Sequence, residues 1–129
     1  METAREFLKL GLFMPNCSYL SAISTYRTVP DEWPYSTNKA IALAAEAAGF
    51  DMLFPVSRWR GFGGETNYMG ISLETTTWAA GLLEATSRIK IFSTVHVPLF
   101  HPAVVAKMGA PQWRAVGDQY RQWLERSRV

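Results

Sequence analysis

The chain is poor in cysteine, in net charge and in long uninterrupted apolar runs, and each shortage narrows the reading. A single cysteine, Cys17, among 129 residues excludes an internal disulfide and suits a reducing cytoplasm. Thirteen Lys and Arg against eleven Asp and Glu leave a formal charge of only +2. With no basic block, nucleic-acid binding has no support. The longer apolar runs are broken by Pro, Gly or charge, so no transmembrane helix is expected. The opening METAREFLK carries mixed charge and no apolar stretch before a cleavage site, which reads as no signal peptide. The two histidines, His96 and His101, stand apart from any carboxylate cluster, so no metal site is expected. Cys17 has no neighbouring histidine and is not expected to act as a nucleophile.

What is present is an alternation of strand-like and helix-like segments. Lys9–Pro15, Asp51–Ser57 and Ile89–Val97 are short apolar runs that read as strands. A helix capped by Ser36, Thr37 or Asn38 should follow the first strand, burying Ile41, Ala44, Ala45 and Ala48 and ending at Gly49. A second helix is expected over Leu73–Ser87, with Trp78, Leu82 and Ala85 at helical spacing. A third should start just after Pro102. Near-continuous apolar strands alternating with helices predict an α/β fold with a parallel sheet covered by helices. Spacing alone leaves a doubly wound sheet and a (β/α)8 barrel equally open.

Two loops attract chemistry on this pattern. Ligands of parallel α/β folds bind at the C-terminal ends of the strands. Arg58 and Arg60 sit there after the second strand, within the Gly-rich stretch RWRGFGGETNYMG. That stretch lacks the Lys-Ser/Thr of a phosphate loop and does not match GxGxxG. Thr94 and His96 sit at the end of the third strand, two residues apart and so on one face of an extended chain. For any one of these side chains alone, a solvated arginine or a satisfied core histidine is the simpler explanation.

The stretches KLGLFMPN and NKAIALAAEAAGFDMLFPVSRWRGFGGETNYMGISLETTTWAAGLLEATSRIKIFSTVHVPLFHPAVVAKMGA, in that order, resemble the bacterial luciferase-like flavin-dependent monooxygenases. Within that family they are most similar to the pyrimidine-ring-opening subgroup, with the alkanesulfonate and dimethyl sulfone monooxygenases as relatives. The resemblance covers about residues 8 to 110. RGFGG, LE, AGL and TSRI carry it in combination, none of them alone. It implies the first three βα units of a (β/α)8 TIM barrel with parallel strands. It implies FMN at the strand ends, reduced by a transient flavin reductase partner, and O2-dependent oxygenation of a small organic substrate by a homo-oligomeric enzyme. Ser57 and Arg58 match the positions before RGFGG that contact flavin. Thr94 and His96 would lie near the isoalloxazine. No catalytic side chain is implied, and His96 replaces a small residue of the ring-opening enzyme, which leaves the substrate open. A deazaflavin-dependent oxidoreductase of the same superfamily is the nearest alternative. A non-catalytic fragment or interaction module is the other.

Residues 1–110 are therefore expected to be the N-terminal part of the barrel domain. Pro111–Val129 is polar and basic where a fourth buried strand is due. With permitted codons, its first sixteen residues read one nucleotide on as RSGARWAINIVSGWN, which resembles the missing family segment. The expectation is a frame-shifted tail on a truncated, inactive chain that is weakly stable and binds FMN poorly or not at all.

Overall fold

The computed structural model describes residues 8–13, 15–18, 23–26 and 33–109. The proposed tail at 111–129 lies outside the described residues, as does much of the loop expected over 16–34. The element order is β1 (Gly11–Phe13), α1 (Tyr35–Ala47), β2 (Met52–Phe54), α2 (Thr75–Ala85) and β3 (Lys90–Ile91), then a 3-10 turn at Val97–Leu99 and a helix, α3, over 102–109.

Among the described residues the sheet has three strands in the order β1-β2-β3. Both pairings are parallel: Leu12 lies opposite Leu53, and Leu53 opposite Ile91. These three residues point to the face that α1 and α2 cover. Ala42 and Ala45 of α1 meet Trp78, Ala79 and Leu82 of α2 over Leu53, Ile89 and Ile91, with Leu12 packed at the margin. Trp78 satisfies its indole N–H on the fully buried Asn38 side chain, at 2.8 Å. Among the described residues the buried core is thus one aromatic, several aliphatics and one polar bridge, with Phe50 packed against it.

Alternation sends the next residue of each strand to the other face. There Phe13, Phe54 and Phe92 form a row across the sheet, with Phe54 and Phe92 stacked at 4.4 Å between ring centroids. Phe13 remains 58% exposed and Phe92 41%.

The helices depart from the sequence reading at two points. α1 starts at Tyr35, with Pro34 at its N-cap and no side-chain cap. Asn38 is buried inside the helix instead, donating to the carbonyls of Trp33 and Pro34. The buried stripe is Asn38, Ala42 and Ala45, while Ala44 and Ala48 are exposed. α2 occupies Thr75–Ala85 inside its expected range and buries Trp78 and Leu82. Glu74 caps it, accepting from the N–H groups of Thr76 and Thr77. Gly49 takes φ +86° just past α1, where a side chain would be strained.

All three strands are shorter than their apolar runs. β3 ends at Ile91, so Thr94 and His96 stand on irregular chain beyond it, not on a strand face as expected.

The N-terminal end of the sheet is tied by carboxylates. Glu46 accepts from the backbone N–H groups of Ser87, Arg88 and Ile89 at 3.0, 2.8 and 3.0 Å. Burial pushes its pKa up, but these three donors outweigh that and hold it below the ordinary 4.5. Asp51 accepts from the Leu10 N–H at 2.9 Å and from Lys9 Nζ at 3.3 Å, joining β1 to the start of β2.

Candidate functional site

The C-terminal ends of the strands are built differently from their starts. After Phe54 the chain reaches Pro55, which has no N–H to offer a ladder. Side chains then take over as partners. Asn16, fully buried just after β1, donates through Nδ2 to the carbonyls of Val56 (2.9 Å) and Leu73 (3.1 Å) and accepts the Val56 N–H on Oδ1 (2.9 Å). The Ser72 hydroxyl donates to the Arg58 carbonyl. Cys17 bridges to Ser72, and Ser18 exchanges hydrogen bonds with Ile71. The end of β3 is held likewise. Thr75 in the first turn of α2 donates its hydroxyl to the Thr94 carbonyl, and the Thr94 N–H points back at the same oxygen.

Ser57 and Arg58 emerge from this braced segment, both half-buried. The Arg58 guanidinium lies over the Phe62 ring, 4.0 Å from its centroid, and Phe62 stacks on Tyr68 at 5.5 Å. The Phe62 N–H bonds the Tyr68 carbonyl, closing the Gly-rich loop on itself. Gly61 makes that closure possible: a Cβ there would stand 2.6 Å from the Gly70 Cα and 2.8 Å from the Met69 oxygen. His96 presents its ring to Trp59 edge-on, at 6.0 Å, and Trp59 also meets Phe100 at 6.2 Å.

Two nitrogens stand out. Arg58 Nε and His96 Nε2 are buried and, among the described residues, have no hydrogen-bond partner. A buried polar atom left unpaired is costly, and such atoms in folded proteins usually await water, an ion or a ligand. Both follow adjacent parallel strands, five residues past the paired Leu53 and Ile91, so they lie at the same end of the sheet. Thr94 is exposed. The four expected residues therefore gather at one end of the sheet, on its irregular rim. Asn16, Trp59, Phe62 and Tyr68 join them without having been singled out in the sequence. The aromatics inside a Gly-rich loop were the available signal.

Cys17 is not part of this chemistry. It is wholly buried, and burial pushes its thiol up to about 11 against the opposing pull of Arg58. Among the described residues no three of His, Cys, Asp and Glu come together as metal ligands, and no helix is long and apolar enough to cross a membrane.

The sequence profile of the luciferase-like monooxygenases matches residues 9–111. The chain belongs to that family. It is 40% identical over 107 residues to the pyrimidine monooxygenase RutA of Shigella flexneri, covering 82% of this chain and 28% of the relative. The corresponding protein of Agrobacterium fabrum is 38% identical over 103 residues, 78% of this chain and 28% of its own length. That of Escherichia coli O7:K1 is 39% identical over 107 residues, 82% and 32%. The chain thus spans about a third or less of the relatives it matches.

Proposed function

We propose that this family member contributes the first three βα units of a (β/α)8 barrel, and with them part of the flavin-facing rim of an FMN- and O2-dependent monooxygenase. The reading is carried by the two unpartnered buried nitrogens, Arg58 Nε and His96 Nε2, beside aromatic rings at the C-terminal ends of adjacent parallel strands. That is where ligands of parallel barrels bind. Ser57, Arg58, Thr94 and His96 would hold the flavin. The two nitrogens suit its phosphate or ring carbonyl oxygens, and Trp59 and Phe62 supply flat apolar surface. Bound reduced flavin supplies the reaction with O2, while the protein orients the ring and excludes water. A flavin reductase would deliver the reduced cofactor. The substrate is a small organic molecule, and the name of the relatives makes a pyrimidine the first to test.

Titration of the isotope-labelled chain with FMN tests this. Three units supply only part of a flavin site, so weak binding is expected, with chemical-shift changes concentrated at Ser57, Arg58, Thr94 and His96. Shifts scattered over the sheet starts, or none up to millimolar FMN, would overturn it. Titration with a deazaflavin in parallel separates the two cofactor classes.

A further inference from the structure

We infer that Asn16 is a positioning residue for the flavin-facing segment Ser57–Arg58. The functional part of this inference rests on the reading above. Among the described residues no strand pairs with that segment. Pro55 lacks an N–H, and β2 ends at Phe54. Yet a contact made by the Arg58 side chain is only as precise as the backbone that carries it.

The Asn16 amide supplies donor and acceptor there instead. A carboxamide is the one short side chain that donates and accepts side by side, and here it does both to a single peptide unit pair. Oδ1 takes the Val56 N–H and Nδ2 reaches the Val56 carbonyl. The second Nδ2 contact runs to the Leu73 carbonyl, and the Asn16 carbonyl in turn accepts the Leu73 N–H at 3.0 Å. Leu73 adjoins Ser72, whose hydroxyl holds the Arg58 carbonyl. Ser57 is therefore clamped between two fixed points: Val56, held by Asn16, and Arg58, held through the 71–73 segment that Asn16 also secures. The side chain is fully buried, so water cannot substitute for it. Its location at the C-terminal end of the sheet places it where rigidity serves a ligand.

Two measurements need no variant and no ligand. Both Asn16 Nδ2 protons are expected to exchange slowly in the native chain, and the Val56 amide to be protected despite lying outside the strand. Exchange at the rate of exposed amides would overturn the assignment. Asn16→Leu, similarly branched though larger, removes every side-chain hydrogen bond of Asn16, the Cys17 Sγ contact to Oδ1 included, and Asn16→Asp keeps only the acceptor for Val56 and Cys17. In Asn16→Leu, amide exchange at Val56 should quicken roughly tenfold relative to Leu53, the size of one lost hydrogen bond, and FMN affinity should fall by a similar factor. Asp51→Asn, which weakens a contact at the opposite end of the sheet, serves as the control and should leave FMN affinity unchanged. Unaltered exchange at Val56 in a folded Asn16 variant overturns the positioning role. Equal loss of affinity in Asp51→Asn reduces Asn16 to general stability and overturns it too. If the unmodified chain shows no FMN-dependent shifts, the flavin reading fails by itself, and the exchange measurements still decide whether Asn16 fixes the segment.

Discussion

Thr75 and Thr94 satisfy each other across the gap between α2 and the end of β3, one hydroxyl serving both the carbonyl and the N–H of a single residue. Thr75 is almost fully buried, so its oxygen has no solvent to fall back on. Thr75→Val keeps the shape and removes the oxygen. It should cost about 1–3 kcal/mol, the range for stranding a buried polar partner, seen as a lower melting temperature. The loss should exceed that of the exposed neighbouring change Thr77→Val.

Asn38→Ala should be more damaging than the loss of a helix cap. It leaves the buried Trp78 indole N–H without its acceptor and opens space beside the largest core side chain. A loss of about 2–3 kcal/mol is expected, with a changed near-ultraviolet signal from Trp78. A loss under 1 kcal/mol would show that the bridge is incidental.

Acid should unfold the chain through Glu46 and Glu74. Burial raises each pKa, but the backbone donors named above outweigh it and hold both below 4.5 in the folded state. A depressed carboxyl stabilises the fold above its unfolded value, and that stability is lost as pH falls through the folded one. The melting temperature should thus be level from pH 7 to about 5 and fall below about 4.5. Glu46→Gln should lower it at neutral pH and flatten the acid decline. An unchanged decline in that variant would remove Glu46 from the account.

Cys17 should resist thiol reagents in the native state. With no exposed surface and a pKa near 11, it offers almost no thiolate at pH 8. Iodoacetamide labelling should appear only with denaturant, following the unfolding curve. Rapid labelling of the folded chain would contradict the packing around Asn16 and Ser18.

The nucleotide sequence behind residues 111–129 should, read one base on, continue the family pattern. Codons that give no such text in the neighbouring frame would make the tail a genuine alternative.

The order and type of the elements were legible because short apolar runs bounded by Pro, Asn or Gly alternate with longer segments of helical spacing. Their lengths were not. Ile89 to Val97 reads as one strand, yet the backbone of Thr94 is claimed by the hydroxyl of Thr75. Val56 is claimed by Asn16 in the same way. Side chains that stand in for ladder partners leave no mark in hydrophobic pattern. The buried face of α1 was misplaced for a different reason. A run of alanines has almost no amphipathic contrast, so the true stripe is set by Asn38 reaching Trp78, forty residues away. At the site, the positions of Ser57, Arg58, Thr94 and His96 at one end of the sheet followed from the parallel alternation. The stacking of Arg58 on Phe62, and of Phe62 on Tyr68, depends on how the Gly-rich loop folds back at Gly61 and Gly70.

Because the single native sulfhydryl is sealed inside, the molecule is a ready host for site-directed probes. A cysteine introduced at Trp59 or at Lys90, both exposed, would be the sole reactive handle on a chain otherwise silent to maleimides. A fluorophore or spin label could then report from either rim separately.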